Sequence, residues 1–222
     1  MIKEKPYFSI PIRENNDRLV SLDEEEFIFT SKYYKESSAG KRRVMLRGKV
    51  VRLLLEARRE LSKSCRFKIL DAWRSKQAQQ VMLNRFIQEV KQRNPSWDNK
   101  QIHHEVLKFA APVMHDPQKP PPHSTGGAVD LTIVDETGNE LLMGKDPVNL
   151  SQESFVNFYN GRQSIVEQEF HKNRQILRRI LVSVGFAPNE NEWWHFDYGN
   201  QRWAYYYKKP YAYYGGVEAN LP

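Results

Sequence analysis

Two short stretches of the chain, 123–130 and 192–195, carry side chains that could bind a metal ion and activate water. The first has a histidine and an aspartate seven residues apart, and the second has a glutamate and a histidine three residues apart. The candidate ligands are His123, Asp130 and His195. Two imidazoles and a carboxylate suit a catalytic zinc ion, whose fourth position stays open for water, and Glu192 is the candidate general base. A structural zinc site would more often have four protein ligands and several cysteines, whereas this chain has only Cys65.

The sequence around these side chains favours their meeting at one ion. Apolar and polar residues alternate over 129–133, which predicts a strand that places Asp130 on the face opposite the apolar side chains. The glycines at 126–127 lie where the chain must fold back, and glycine reaches the positive φ angles that such a bend often needs. We expect the two adjacent tryptophans at 193–194 to line the pocket and to lower its dielectric constant.

The same two stretches resemble a known family. The chain reads His-Ser-Thr-Gly-Gly-Ala-Val-Asp at 123–130 and Glu-Trp-Trp-His at 192–195, a combination similar to the zinc D-alanyl-D-alanine dipeptidases of the VanX type, peptidase family M15. These enzymes belong to a wider group of DD-peptidases that shares a fold with the Hedgehog signalling domain. The likeness extends from about Val44 to about Trp203 and includes Asp-Ala-Trp-Arg at 71–74, which is similar to the family's Asp-Gly-Tyr-Arg.

The resemblance implies a role for each residue of the site. One Zn²⁺ per chain would be held by His123, Asp130 and His195. Glu192 would act as the general base, and Arg74 would stabilise the tetrahedral intermediate. Asp71 would orient Arg74 and Asp197 would orient a ligand imidazole, with a structural salt bridge or a hairpin hydrogen bond as the alternative. Trp194 is a further candidate for a position beside the substrate.

The family's substrate contacts do not all match. Where the dipeptidases have a serine two residues before the first zinc histidine, this chain has Pro121. The family's Phe-Asp pair, whose aspartate holds the free amine of the substrate, falls on Pro147 and Val148. Asp146 or Glu153 could replace that aspartate. The sequence therefore leaves the requirement for a free amine open.

The resemblance implies a zinc-dependent dipeptidase that hydrolyses D-Ala-D-Ala or a related small dipeptide. An alternative with the same chemistry is a D,D- or L,D-carboxypeptidase that trims the stem peptides of peptidoglycan in the cell wall. An alternative of another class is a binding protein that keeps the zinc fold without turnover, and the presence of Glu192 argues against it. A small peptide is the expected partner in either enzymatic case.

Two other histidine stretches carry weaker signals. His103-His104-Glu105 resembles the start of a zincin His-Glu-x-x-His motif, but Lys108 stands where the second histidine belongs. We interpret these residues as exposed or structural. His115 is a lone histidine without a partner at ligand spacing.

Composition narrows the class of protein. The chain has 222 residues, 40% of them hydrophobic and 12% aromatic, which indicates one folded domain although the mean hydropathy is -0.72. The net charge is +7, but the basic residues are interleaved with 27 acidic residues. We therefore expect a solvated surface and no nucleic-acid partner. No apolar run reaches the ~18 residues of a membrane span, and the N-terminus lacks the apolar core of a signal peptide. We therefore expect no membrane partner and a cytoplasmic location, or a periplasmic one if a leader precedes Met1.

The pattern of elements predicts a single α+β domain over 1–222, with a small central antiparallel sheet flanked by helices. Helices are predicted at 43–64, 77–93, 99–109 and 162–184, the third after an Asp98 N-cap. Strands are predicted at 67–71, 129–134, 140–143, 191–198 and 203–207. Residues 1–40 should form an irregular N-terminal wrap, with Tyr33 and Tyr34 at the pocket rim or on the surface, and 208–222 a loosely packed tail.

Overall fold

The computed structural model describes residues 5–29, 44–114, 116–145 and 151–218, which form an α+β domain of five helices and two sheets. The strands are β1 (Leu19–Ser21), β2 (Ile28–Phe29), β3 (Met45–Arg47), β4 (Arg66–Asp71), β5 (Ala128–Val134), β6 (Ala187–Asn189) and β7 (Glu192–Asp197). The helices are α1 (Gly48–Arg58), α2 (Lys76–Arg93), α3 (Asn99–Val106), α4 (Ile165–Ser183) and α5 (Gln201–Tyr206). Short 3-10 helices lie at Pro6–Ser9, Pro122–Thr125 and Gln152–Ser154. Within the described ranges, no helix has the length and apolar character that a bilayer span requires.

The larger sheet has the strand order β2-β4-β5-β7-β6 and carries the candidate site on its three central strands. Neighbouring strands pair antiparallel, except that the edge strand β2 runs parallel to β4. The predicted central antiparallel sheet is confirmed, with one parallel edge strand that the sequence did not indicate. The register aligns Asp71 with Asp130 and Asp130 with His195, so three functional residues lie side by side across the sheet.

The main hydrophobic core is formed by this sheet and helices α1 and α4. Leu131 and Thr132 point to opposite faces of β5 and both are fully buried, so β5 lies between two layers of the protein. The buried helix residues recur at helical spacing and include Leu53, Leu54, Leu177 and Leu181. Because Asp130, Glu192 and His195 lie on strands of this core, their backbone positions are well fixed.

Helices α2 and α3 form a hairpin with a small core of its own. That core contains Leu83, Phe86, Val106 and Ala110. Asp98 is the N-cap of α3, as predicted, because its carboxylate accepts a hydrogen bond from the Gln101 backbone N–H at 2.7 Å. The hairpin stands beside the larger sheet and supplies one wall of the pocket described below.

The predicted helix over 43–64 is wrong at its start. Met45–Arg47 is strand β3, which pairs antiparallel with β1, and the helix begins at Gly48. Leu46 is fully buried in this extended segment. Pairing with a distant strand therefore outweighs the helical spacing of the local apolar residues.

Two predicted strands also need correction. The segment 203–207 lies largely in helix α5, because the Asn200 side chain accepts a hydrogen bond from the Trp203 backbone N–H at 3.1 Å and caps the helix. The return strand at 140–143 is reduced to one isolated bridge at Glu140. Strand β6, which the sequence did not indicate, takes the sheet edge beside β7.

The prediction of a loosely packed tail at 208–222 is wrong as far as Val217. Tyr214 is 1% exposed, and its hydroxyl donates to Asp17 Oδ2 at 2.9 Å. The Val217 N–H donates to the Ser124 carbonyl at 2.9 Å. The tail therefore packs against the segment that carries the first histidine of the site.

The N-terminal segment is irregular, as predicted, over residues 5–29. It consists of the 3-10 helix Pro6–Ser9 and the short strands β1 and β2. Tyr33 and Tyr34 lie outside the described residues.

Candidate active site

The three candidate metal ligands meet in the structure. His195 Nδ1 lies 2.9 Å from Asp130 Oδ1 and 3.2 Å from His123 Nε2, and that His123 nitrogen lies 3.4 Å from the same carboxylate oxygen. One donor atom of each residue lies within 4.8 Å of the other two. Two imidazole nitrogens and a carboxylate oxygen at these separations could hold one divalent metal ion.

A 3-10 helix and a left-handed glycine bring His123 to the sheet. The helix Pro122–Thr125 ends at Gly126, whose φ of 70° confirms the predicted glycine bend. At Gly127 a Cβ would lie 2.4 Å from the Tyr198 carbonyl oxygen, so only glycine allows this close approach. The chain thus reverses within a few residues before β5 begins.

Each imidazole is oriented through its second ring nitrogen. His123 Nδ1 donates to the Ala72 carbonyl at 2.8 Å, and His195 Nε2 donates to Asp197 Oδ2 at 3.1 Å. Asp197 is itself held by the side-chain amide of Asn200, which donates to Oδ1 at 2.6 Å. These bonds leave His123 Nε2 and His195 Nδ1 facing Asp130, and such bonds commonly fix the tautomer of a metal-binding histidine.

The electrostatics of the centre fit a bound cation. Burial alone would raise the pKa of Asp130, but the imidazoles of His123 and His195 outweigh burial and lower that pKa. Burial likewise opposes the charged form of His195, while the carboxylates of Asp197 and Asp130 raise its pKa to about 10. A positive charge is therefore stabilised between these groups, and a metal ion can supply it in place of the proton.

Glu192 lies in the same pocket at the start of β7. It is buried, and its carboxylate accepts a short hydrogen bond from the Asn189 side-chain amide. Burial raises the pKa of Glu192, although the positive charge of His195 opposes this shift. A buried carboxylate with a raised pKa is suited to accept a proton from water near neutral pH.

Arg74 enters the pocket just after the end of β4. Its Nε lies 3.2 Å from Asp71 Oδ2, and its backbone N–H donates to the His123 carbonyl at 3.3 Å. The guanidinium also contacts the sulfur of Met82. The structure thus places Asp71 beside Arg74, as the resemblance implies, and the planar fork of Arg74 could bind an oxyanion.

These residues line one cavity on the central strands of the larger sheet. The polar wall contains Asp71, Arg74, His123, Asp130, Glu192 and His195. The facing wall is largely apolar and comes from the α2–α3 hairpin, through Met82, Phe86, Phe109 and Ala110. A small molecule in this cavity would therefore touch the candidate metal ligands on one side and an apolar surface on the other.

Comparison with known families decides the class of this protein. Residues 29–214 match the family model Peptidase_M15, described as D-ala-D-ala dipeptidase. The chain belongs to this peptidase family. A D-alanyl-D-alanine dipeptidase from Synechocystis sp. is 31% identical to it over 240 residues, which cover 96% of this chain and 97% of the relative. The resemblance inferred from the sequence motifs is confirmed, and the protein is a peptidase.

Solved structures share the fold of this M15 peptidase. One is a mutant of the vancomycin-resistance D,D-pentapeptidase VanY from a VanB-type resistance cassette, in complex with Zn(II), with a TM-score of 0.50 and 14% identity, covering 91% of this chain and 90% of that one. Another is VanYB in complex with D-alanine-D-alanine, with a TM-score of 0.50 and 15% identity, covering 89% and 87%. The predicted DD-peptidase fold is confirmed.

Only one of the two tryptophans expected beside the metal centre lines the cavity. Trp194 does so, together with Glu192. The Trp193 indole instead donates to the Lys145 carbonyl at 3.1 Å and lies near Arg174.

Two polar residues of the site carried no motif in the sequence. Asn189 comes from the short strand β6 and binds Glu192. Arg202 lines the cavity from helix α5, and its Nε lies 3.3 Å from Asp197 Oδ2. The Asn200 helix cap is a sequence signal for helix α5, but no local pattern indicates which side chain of that helix faces the site.

The histidines of the incomplete zincin motif do not belong to this centre. His103 and His104 are exposed on α3, and Glu105 pairs with Lys108 at 2.6 Å, so the interpretation as exposed residues is confirmed. His115 lies outside the described residues.

The candidate amine-binding residues are only partly described. Asp146, Pro147 and Val148 lie outside the described residues. Glu153 forms an ion pair with Lys145 at 3.5 Å. Glu153 as the replacement for the family's aspartate therefore stays a prediction.

Proposed function

We propose that this M15 peptidase hydrolyses D-Ala-D-Ala or a closely related dipeptide, with one zinc ion held by His123, Asp130 and His195. The observation that carries the proposal is the convergence of three ligand atoms within 4.8 Å, with Glu192 buried in the same cavity. The relative from Synechocystis sp., a D-alanyl-D-alanine dipeptidase, supports the choice of substrate.

The donor set fits zinc by its chemistry. Two neutral imidazole nitrogens and one carboxylate are the ligands that catalytic zinc commonly uses, and each imidazole carries the supporting hydrogen bond that such sites have. When bound there, zinc supplies Lewis acidity and lowers the pKa of water to about 7.

Glu192 performs the proton transfers in this proposal. Its carboxylate takes a proton from the attacking water and delivers it to the nitrogen of the leaving amino acid. The Asn189 amide fixes the position of the carboxylate, and burial keeps its pKa high enough for it to act as an acid in the second transfer.

Arg74 stabilises the negative charge that develops on the carbonyl oxygen. Asp71 fixes the guanidinium, so little reorganisation is needed when the charge forms. The apolar wall formed by the α2–α3 hairpin excludes water, which strengthens this interaction.

The test is hydrolysis by the zinc-loaded protein of D-Ala-D-Ala, L-Ala-L-Ala and an N-acylated stem peptide ending in D-Ala-D-Ala. We expect cleavage of D-Ala-D-Ala and a loss of about 10³-fold in kcat for Glu192→Gln, with zinc still bound, because the general base is removed. The control Glu169→Gln removes a half-exposed carboxylate of α4, paired there with Lys172, and should leave the rate unchanged. Cleavage of only the acylated peptide would replace the dipeptidase by a carboxypeptidase, and no cleavage with zinc bound would overturn the proposal.

A further inference from the structure

The cavity contains a second arginine that the proposed reaction does not use. Arg74 and Arg202 are the residues with a fixed positive charge among its described lining residues. Arg74 is paired with Asp71, and its proposed partner is the developing oxyanion. Arg202 reaches the cavity from α5, beside Glu192 and His195.

The Nε atom of Arg202 is paired, whereas its two terminal nitrogens are available to a ligand. Its Nε lies 3.3 Å from Asp197 Oδ2, the oxygen that also accepts from His195 Nε2. Among the described residues, its two terminal nitrogens have no hydrogen-bond acceptor. The side chain is 22% exposed, so these donors are neither satisfied by protein nor fully open to solvent. A guanidinium in this state is ready to bind a planar anion.

The surroundings keep this guanidinium charged and in place. Burial opposes the charged form, but nearby negative charges, with Asp197 first, outweigh burial and raise the pKa of Arg202. The Tyr7 ring lies 5.7 Å from the guanidinium carbon and restricts its movement. Gln201 ties the N-terminal segment to α5, since its side-chain amide donates to the Ile10 carbonyl at 2.7 Å.

The neighbouring N-terminal groups of this corner are hydrogen-bond donors. Lys5 Nζ donates to the Leu107 carbonyl at 2.5 Å, while burial and the positive charge of Arg202 lower the pKa of Lys5. Burial raises the pKa of Tyr7 to about 12, so its hydroxyl remains a hydrogen-bond donor at neutral pH. The corner thus presents donors and positive charge next to the base and the candidate metal ligands.

We propose that Arg202 binds the terminal carboxylate of the substrate, and so restricts the enzyme to peptides with a free carboxyl end at the cleavage site. This inference rests on the proposed function, because it assigns the carboxylate of the same dipeptide. It explains why a cavity lined by three carboxylates, those of Asp71, Asp130 and Glu192, could accept an anionic substrate. Arg202 is then a specificity residue, while Arg74 acts on the transition state.

The test compares D-Ala-D-Ala with D-alanyl-D-alaninamide, in which a neutral amide replaces the terminal carboxylate. In the wild type we expect kcat/KM to favour the free acid by about 30-fold, the range expected for charged hydrogen bonds. Arg202→Gln should bring this ratio close to one, Arg202→Lys should restore part of it, and Tyr7→Phe should lower it slightly. Arg179→Gln, which removes an exposed arginine of α4, is the matched control and should keep the full ratio.

Other outcomes would overturn the inference. An equal loss for acid and amide in Arg202→Gln, or weaker zinc binding alone, would show that Arg202 only orients Asp197. A wild type without preference for the acid would exclude a carboxylate site altogether.

Binding separates this inference from the proposed function. Calorimetric titration of both ligands into the zinc-loaded Glu192→Gln protein, with and without Arg202→Gln, needs no turnover. If the wild type cleaves neither compound, the proposed function fails, yet acid-selective binding that disappears with Arg202→Gln would uphold the carboxylate site. Equal binding of acid and amide would refute it.

Discussion

Each imidazole of the candidate metal centre has one ring nitrogen bound by protein and one facing Asp130. The Ala72 carbonyl binds His123 and the Asp197 carboxylate binds His195. The carboxylate partner makes the imidazole of His195 more basic. This leads to a measurable effect of pH on metal binding.

Zinc binding should release about one proton at pH 7.5. Burial opposes the imidazolium of His195, but Asp197 and Asp130 raise its pKa to about 10, above the ordinary histidine value of 6.5. The metal-free protein therefore holds that proton between pH 6.5 and about 10, and zinc must displace it. The proton stabilises the metal-free fold fully below pH 6.5, and this stabilisation is lost as pH rises through about 10.

Titration calorimetry in buffers of different ionisation enthalpy measures this release. The apparent affinity for zinc should rise as pH increases towards 10. Zinc binding without proton uptake by the buffer at pH 7.5 would contradict the assignment of His195 Nδ1 as a ligand.

At the scale of single residues, the sequence was sufficient to select the site. The spacing of His123 and Asp130 around two glycines and the pair of Glu192 and His195 are local patterns with a chemical reason. Asn189 and Arg202 were missed because their roles depend on which strand and helix lie beside β7. Such neighbours are set by tertiary packing and leave no local pattern.

Among the elements, the turn between Pro122 and β5 packs the first ligand segment against Tyr198, the residue that follows strand β7. Gly127 lies where the backbone of Tyr198 crosses it, at a distance that excludes any side chain. The turn and strand β7 are therefore packed as a unit. A substitution in the turn should affect the whole fold as well as the site.

We expect Gly127→Ala to lower the free energy of unfolding by about 3 kcal/mol, since a Cβ 2.4 Å from a backbone oxygen forces the chain to shift. The matched control is Gly215→Ala, where the new Cβ would have its nearest neighbour at 3.4 Å and should change stability by less than about 0.5 kcal/mol. Urea denaturation of both variants provides the values. Equal stabilities would show that the turn is not tightly packed against Tyr198.

The elements that the sequence predicted poorly share a physical cause. Met45–Arg47 has a helical pattern, but it pairs with the distant strand β1. Residues 140–143 have a strand pattern, but side chains of α4 bind the carbonyls of Leu142 and Met143. Helix α5 follows from the Asn200 cap, a signal that the aromatic run at 203–207 obscured. Helices α2 and α4, which have long amphipathic patterns, were predicted within a few residues of their observed bounds.

At the scale of the whole molecule, the chain's end closes over the segment that carries His123. Tyr214 packs against Tyr198 and near Gly127, and its hydroxyl binds Asp17 from the N-terminal segment. The segment around Tyr214 and the N-terminal segment thus meet behind the site. The sequence could not show this, because the tail's many tyrosines are equally compatible with an exposed surface.

Tyr214→Ala should lower the free energy of unfolding by about 3–5 kcal/mol, because it empties a fully buried aromatic position and removes one of the hydrogen bonds to Asp17 Oδ2, which then keeps the Lys49 backbone N–H. Tyr205→Ala is the matched control, since that side chain is 53% exposed, and its effect should stay below about 0.5 kcal/mol. Thermal or urea denaturation distinguishes them. If Tyr214→Ala lowered the stability as little as Tyr205→Ala, the packing of Tyr214 would contribute nothing to the fold.

The whole account depends on one metal ion shared by two distant segments of the chain. The most direct measurement is an anomalous difference map, recorded at the zinc absorption edge from crystals of the zinc-loaded protein. The account predicts a single strong peak in contact with His123 Nε2, Asp130 Oδ1 and His195 Nδ1. A peak elsewhere, or a zinc ion that any of these three atoms does not contact, would contradict it.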